Sequence, residues 1–226
     1  MGHGSTSAAL RCALLTLAIP ARSKCWGRNQ GQLGLGDTNN RGFGANEMGT
    51  HLPSVDLGSG WTVVEVAAGN SHTCARLEDG AARALKCWGS NNFYGRLGMG
   101  DSISRGGAGG EMGDLLPAVQ LGTGRWALAL DLGIVHSCAL LDDGASFKCW
   151  GDNDKGQLGL GDVETRGDRG GEMGDDLPSV PLCLGPCPAG YSAWFTGADG
   201  WACVACEAGT YAATSGLWTC AVCPSH

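Results

Sequence analysis

The residues in this 226-residue chain with the most chemistry to offer are its histidines, its repeated acidic and basic positions and its twelve cysteines. His72 and His136 occupy the same place in two similar phrases, Gly69-x-x-His72-Thr-Cys74-Ala and Gly133-x-x-His136-Ser-Cys138-Ala. A general base occurs once, beside a nucleophile in a pocket, so a histidine that recurs with its surroundings points to a structural hydrogen bond between strands. Asp37, Arg41 and Glu47 recur as Asp101, Arg105 and Glu111, and again as Asp162, Arg166 and Glu172. Two readings fit these triplets. One is an ion pair fixing a long surface loop, worth about 1 kcal/mol or less where exposed. The other is a charged rim that binds a partner. Asp152-Asn-Asp154-x-Gly156 begins like a calcium loop, but no Glu stands at the required later position and a turn fits better. Cys203-x2-Cys206-x13-Cys220-x2-Cys223 has acceptable spacing for a four-thiolate zinc site. Two further cysteines beside it, and no Lys or Arg around it, favour disulfides instead. No Ser-His-Asp grouping, phosphate loop or dinucleotide fingerprint is present. The expectation is a protein that is not an enzyme, with no catalytic residue, cofactor or metal.

The whole composition supports that direction. Forty glycines against four Phe and three Tyr describe a chain rich in turns, not a helical domain. A formal net charge of −7 leaves no basic surface for nucleic acid or an anionic membrane. Twelve cysteines, an even number, favour disulfides and an oxidising compartment. No apolar run is long enough to span a membrane.

Self-comparison supplies the framework that must position these residues. Lys-Cys-Trp-Gly occurs at 24–27, 86–89 and 148–151. A Gly-x-Leu-Gly-x-Gly-Asp turn follows each copy, at Gly31–Asp37, Gly95–Asp101 and Gly156–Asp162. Arg-Gly, Glu-Met-Gly and Leu-Pro come next in fixed order. Val64, Val66 and Ala68, like Leu128, Leu130 and Leu132, alternate with positions expected to be exposed, the mark of a half-buried strand. Each then meets a hairpin that ends in the next Lys-Cys-Trp-Gly. In the later copy Asp143-Gly144 predicts a two-residue turn, setting Ala139 opposite Lys148 and Cys138 opposite Cys149. The earlier copy predicts a longer loop around Asp79–Ala82, with Cys74 opposite Cys87. Facing preserved across that difference in length marks Cys74–Cys87 and Cys138–Cys149 as disulfide candidates, although a two-residue turn would make 138:149 a hydrogen-bonded pair, the less comfortable place for a bridge. Cys12 precedes Cys25 by the interval that separates Cys74 from Cys87, so residues 10–27 read as a degenerate copy of the hairpin. The competing reading makes Ala8–Ile19 the apolar part of a signal peptide.

Short strands, glycine turns and units of about 60 residues predict an all-β partial β-propeller of about three four-stranded blades. Trp26, Trp88 and Trp150 are expected to pack between blades. The propeller region covers residues 1–182: the hairpin at 10–27, repeats at about 28–89 and 90–151, and a partial repeat at 152–182. Gly-x-x-His-[Thr/Ser]-Cys-Ala-Leu, Asp-Gly, Cys-Trp-Gly and Gly-Gln-Leu-Gly-Leu-Gly-Asp resemble the repeats of the regulator of chromosome condensation family. That resemblance implies blades of a seven-bladed type. The chain has too few residues for seven, so a fragment, an incomplete product, or completion of the ring by self-association or by missing blades is expected.

After Leu182 the composition changes. Residues 183–226 hold Cys183, Cys187, Cys203, Cys206, Cys220 and Cys223 and no Lys or Arg. So small a segment needs covalent staples. Its phrases Cys187-Pro-Ala-Gly-Tyr and Cys206-Glu-Ala-Gly-Thr-Tyr resemble the cysteine-rich modules of ephrin-receptor and tumour-necrosis-factor-receptor ectodomains. The resemblance implies bridges Cys187–Cys203 and Cys206–Cys220, leaving Cys183 and Cys223 to each other or to residues beyond this chain. Trp194, Trp201 and Trp218 serve there either as a partner's anchor or as the module's own core. The expected function is a non-catalytic protein-binding scaffold, extracellular or at the cell surface, whose partner the sequence does not identify. The alternative, allowed by the family resemblance, is a cytoplasmic or nuclear guanine-nucleotide exchange factor or ubiquitin-ligase accessory domain.

Overall fold

The computed structural model describes residues 11–15, 22–181, 191–195 and 201–205. Their strands form four antiparallel sheets. The first pairs β1 (Arg11–Leu15) with β2 (Arg22–Trp26), the second orders β3 (Thr62–Ala68), β4 (His72–Asp79) and β5 (Ala82–Gly89), and the third orders β6 (Ala127–Leu132), β7 (His136–Leu141), β8 (Ser146–Gly151) and β9 (Val180–Pro181). A separate hairpin pairs β10 (Tyr191–Phe195) with β11 (Trp201–Ala205). This is an all-β repeat architecture, and its first three sheets fit partial propeller blades. Among the described residues no helix is long and apolar enough to cross a membrane.

The hydrophobic core lies between sheets rather than within them. One cluster joins Cys25 of β2, and Leu33, Val55 and Leu57 after it, to Val63, Ala75, Leu77 and Trp88 of the second sheet and to Leu116. The other joins Cys74, Leu85, Leu97 and Val119 to Ala127, Ala139, Leu141, Trp150 and Leu177. Each repeat completes its core against a neighbour, as in stacked repeat arrays.

Three details differ from the sequence expectations, each for a local reason. The outermost strand of the blades is a stub. Val55 and Val119 donate single backbone bonds to Ser23 (2.9 Å) and Leu85 (2.7 Å), and only at Val180–Pro181 is the pairing long enough to make a strand. The preceding Leu-Pro in each copy removes a donor, which confines such a segment to a short edge. The stub leaves the second sheet with three strands, and among the described residues the first has two and the third four.

The alternation read from sequence holds along only part of the inner strands. Register shifts between Val63 and Glu65, and between Ala127 and Ala129, insert a bulge. A bulge flips every side chain beyond it to the other face. Val63 and Ala127, before the bulge, are buried, and Leu130 and Leu132, beyond it, pack on the core as read, whereas Leu128 at the bulge and Ala68 at the end of its strand are exposed.

The hairpin turns are exchanged. In the earlier copy Asp79 pairs with Ala82 around a two-residue turn. In the later copy residues 142–145 form the loop, closed by Gly144 N–H donating to the Leu141 carbonyl (2.9 Å). Asp143 Oδ1 accepts from the N–H groups of Ala145 (2.9 Å) and Ser146 (3.0 Å), so its side chain takes the place of tighter cross-strand pairing. The change in loop length shifts the ladder by one step. Cys138 and Cys149 have a Cα separation of 4.1 Å, that of a narrow, non-hydrogen-bonded pair. Cys12–Cys25 and Cys74–Cys87 share this separation, and all three pairs are disulfides. In the cysteine-rich tail, Cys183, Cys187, Cys206, Cys220 and Cys223 lie outside the described residues. Only the backbone of Cys203 is described, in β11.

Candidate functional site

The loop leaving the last long strand of each repeat carries the recurring polar residues, and the structure shows what each does. At its centre is a buried asparagine: Asn29, Asn91 or Asn153. Its Oδ1 accepts from the N–H of Leu33 (3.2 Å), Leu97 (3.0 Å) or Leu158 (2.9 Å). Its Nδ2 donates to the carbonyl of Asp37 (2.8 Å), Asp101 (2.6 Å) or Asp162 (2.9 Å). One amide thus ties both arms of the glycine-rich turn. Sequence reading passed over this residue, although its place two residues after each Lys-Cys-Trp-Gly was visible.

The charged triplets serve the same loop. Arg41, Arg105 and Arg166 pair with Asp37 (2.6 Å), Asp101 (2.7 Å) and Asp162 (2.8 Å). The Arg105 hydrogen bond, foremost, holds the Asp101 carboxyl below the usual carboxylate range. Glu47 Oε2 accepts from three successive backbone N–H groups, Gly42, Phe43 and Gly44, at 2.8–2.9 Å. Glu111 does the same for residues 106–108 and Glu172 for 167–169. These backbone bonds, led by that of Gly44, lower the Glu47 pKa. In this geometry the repeated charges make their hydrogen bonds within their own loops.

The histidines and tryptophans lie at the joints between repeats. Trp88 Nε1 donates to the Gln32 carbonyl (3.0 Å), which also accepts from Thr73 Oγ1 (2.9 Å). Trp150 Nε1 and Ser137 Oγ converge in the same way on the Arg96 carbonyl, at 3.0 and 2.9 Å. His72 Nε2 lies 2.9 Å from Ser137 Oγ. Because that hydroxyl spends its proton on Arg96, His72 Nε2 is the donor. Burial, foremost, pushes the His72 pKa down to about 3, so the ring cannot serve as a base near neutrality. A Cβ on Gly69 would come within 2.4 Å of this ring, so the contact requires glycine. Lys86 Nζ reaches the carbonyls of Leu57 (2.9 Å) and Gly113 (2.8 Å), and burial lowers its pKa. The suspected calcium loop is occupied by its own contacts: Asp154 pairs with Lys155 (2.7 Å), and Asp152 accepts from Gln157 Nε2 (3.3 Å).

A cleft of about 120 Å³ between the second and third sheets is lined by Arg76, Arg83, Arg125 and Trp126. Each arginine is already paired, Arg76 with Glu65, Arg83 with Glu78 and Arg125 with Asp142 and Asp143. The more unusual surface is at the other end of the sheets, on residues that do not recur. Phe93 is 84 % exposed and Ile134 64 %, with Ile103 and Val163 similarly open on neighbouring loops. Phe93 has φ +59°, the left-handed region that disfavours a bulky side chain. Arg96 stacks 5.1 Å over the Tyr94 ring and donates toward the Ile134 carbonyl, linking the patch. The signal for it was the interval between Lys-Cys-Trp-Gly and the glycine turn, longest in this copy.

Sequence models described as the Regulator of chromosome condensation (RCC1) repeat match residues 25–76, and residues 63–96 and 130–157. Residues 25–96 and 130–157 thus match RCC1 repeats. Over 167 residues it is 33 % identical to the ultraviolet-B receptor UVR8 of Arabidopsis thaliana, covering 72 % of this chain and 33 % of the receptor. Over 131 residues it is 32 % identical to the E3 ubiquitin-protein ligase HERC2 of Homo sapiens, covering 57 % of this chain and 2 % of the ligase. The chain thus spans a third or less of these relatives. Among solved structures it resembles yeast RCC1 (Prp20) bound to Kap60, with 22 % identity and a TM-score of 0.43 over 71 % of this chain and 32 % of that one. It also resembles Prp20p from Saccharomyces cerevisiae, with 20 % identity and a TM-score of 0.44 over 71 % of this chain and 33 % of that one.

Proposed function

We propose that the chain is a non-catalytic protein-binding scaffold, whose contact surface is the apolar loop cluster around Phe93, Tyr94 and Ile134. The observation carrying this reading is Phe93, held exposed in a backbone conformation that costs energy for a non-glycine residue. A strained aromatic side chain presented to solvent by a braced loop suits an anchor that buries in a partner. The repeated Asp, Arg and Glu residues keep the loop's shape. We further propose that the protein works in an oxidising compartment, extracellular or at a cell surface. The three disulfides support this, since such bonds persist where thiols are not kept reduced. Light reception and ubiquitin ligation are named for the relatives alone.

The test is cross-linked capture from the protein's native source with wild type, a Phe93→Ser/Tyr94→Ser double variant, and Trp126→Ser as a control at the opposite end of the sheets. A partner enriched by wild type and Trp126→Ser but lost with the double variant is expected. Equal capture by all three would refute the assignment of the surface.

A further inference from the structure

The two joints among the described repeats show how one repeat docks on the next, and the outer faces of the first and last described repeats carry the two halves of a third joint. At each internal joint a tryptophan closes over the preceding glycine turn. A Cβ on Gly34 would meet Trp88 Nε1 at 2.6 Å, and one on Gly98 would meet Trp150 Nε1 at 2.7 Å. Backbone bonds from Gly36 to the Gly106 carbonyl (3.2 Å) and from Gly100 to the Gly167 carbonyl (3.1 Å) complete the fit. Trp88 and Trp150 are fully buried by this arrangement. So are the turns beneath them, residues 31–34 and 95–98.

The end positions carry matching groups but are less covered. Trp26, on the leading edge, is half-buried, whereas its two counterparts have no exposure. On the trailing edge Leu158 is buried, yet Gly156, Gln157 and Gly159 are half-exposed where their counterparts are buried. A Cβ on Gly31 or Gly95 would touch the following repeat, whereas one on Gly156 would meet only its own loop, at Asp162. Gly159 keeps the positive φ, +70°, of Gly34 and Gly98, so the shape that receives an indole is retained. The charges are complementary as well. Exposed Arg11 and Arg28 flank Trp26, whereas the trailing turn opens with Asp152 and Asp154 around a single Lys155.

We propose that this chain associates head to tail with a second copy of itself, Trp26 of one copy closing over the Gly156–Asp162 turn of the other. By equivalence with the internal joints, Trp26 Nε1 donates to the Gln157 carbonyl and Gly161 N–H to the Gly42 carbonyl. Arg11 lies opposite Trp26 in the strand register, where Thr73 and Ser137 lie opposite Trp88 and Trp150. It adds a charged donor to the joint. The contact is heterologous, so it propagates until a ring closes or a filament grows. This goes beyond the protein-binding surface proposed above, which occupies the loop tips and not the array's ends.

Sedimentation or light scattering of the full oxidised chain over a concentration series tests the idea. The expected result is a mass rising in steps of 23.1 kDa and falling with added salt. Trp26→Glu disables only the leading edge and Gly159→Val only the trailing edge, and each alone is expected to stay monomeric. Mixed, they retain one intact joint and form dimers that grow no further. Near-ultraviolet circular dichroism of both variants checks that the internal joints are unchanged. Monomeric wild type at 100-fold the lowest concentration, continued assembly of either single variant, or a mixture that stays monomeric would each overturn the proposal.

Discussion

Replacing Asn91 separates a structural role from a surface role more cleanly than any other change. Its side chain is fully buried and satisfies the Leu97 N–H at 3.0 Å and the Asp101 carbonyl at 2.6 Å. Asn91→Ala leaves the Leu97 N–H without a partner in a site closed to water, at about 1–3 kcal/mol. Asp101 is half-exposed as a residue, and its carbonyl is expected to recover part of its loss from solvent. The expected total is about 3 kcal/mol, read in urea as a midpoint lowered by about 1.5 M for a slope near 2 kcal/mol/M. Asn91→Asp tests the mechanism itself. The new carboxylate still accepts from Leu97, but it faces the Asp101 carbonyl with no proton to donate. Burial and the neighbouring Asp101 charge raise its folded pKa above the unfolded value of about 3.9. The penalty is therefore present at neutral pH and is relieved as pH falls below that raised pKa, where the protonated acid donates to the Asp101 carbonyl. Each unit of elevation corresponds to about 1.4 kcal/mol. The measurement is the stability difference from wild type at matched pH between 3 and 7. A loss under about 0.5 kcal/mol for Asn91→Ala, or a pH-independent penalty for Asn91→Asp, would refute the two-armed tie.

Further outcomes follow from the joints and the strained loop. His72 has a folded pKa of about 3, below its unfolded value of about 6.5, so its neutral form contributes stability that is fully present above pH 6.5. That contribution is lost as pH falls toward 3, at up to about 1.4 kcal/mol per pH unit; a His72→Gln variant has a lower starting stability and a flatter profile in acid titrations of the unfolding midpoint. Gly98→Ala places a methyl 2.7 Å from Trp150 Nε1 and is expected to cost about 2 kcal/mol or more, whereas Gly80→Ala, with similar positive φ and open space around it, costs about 1 kcal/mol. Equal costs in thermal unfolding would mean that backbone strain, not the indole contact, sets the need for glycine. Phe93→Gly relieves the left-handed strain and raises stability by about 0.5–1 kcal/mol while weakening partner capture; a stability loss there would show that Phe93 packs internally.

Much of this architecture was legible in the sequence because the repeat states it three times. The hairpin registers through Cys74–Cys87 and Cys138–Cys149 follow from symmetry about their turns. The exchange of turn lengths was not legible, because Asp143 acts through its side chain, and Asp-Gly reads as a tight turn regardless. Phase at the start of β3 and β6 was lost to a bulge that no residue type marks, whereas Leu130 and Leu132 face the core as their alternation implies. The stubbed outer strand was signalled by the recurring Leu-Pro, whose missing donor sets the limit. Asn29, Asn91 and Asn153 were in plain sight, but the residues between and after them differ, and the eye follows the charged triplets instead. The tail's cysteines, Cys203 apart, lie outside the described residues, so its bridging remains an expectation from spacing and resemblance.

Recurrence itself sorts the polar residues. A side chain present in every repeat meets the same local need each time, and here those needs are met internally: asparagine for the turn, arginine for its aspartate, glutamate for three backbone donors. Residues that break the pattern have no such obligation. Phe93 and Tyr94 lengthen one loop of three, and Arg96 replaces a glutamine to stack on Tyr94. At the ends, Arg11 stands where other repeats have a hydroxyl, and Asp152 and Asp154 where they have Arg28 and Gln30 or Ser90 and Asn92. These departures coincide with the exposed aromatic loop and with the two uncovered halves of a joint. In an array whose cores all lie between neighbours, an end repeat has buried only one of its two faces. Selection for function can act on the loop tips without disturbing any joint, whereas any change at an end face alters what the array can stack against.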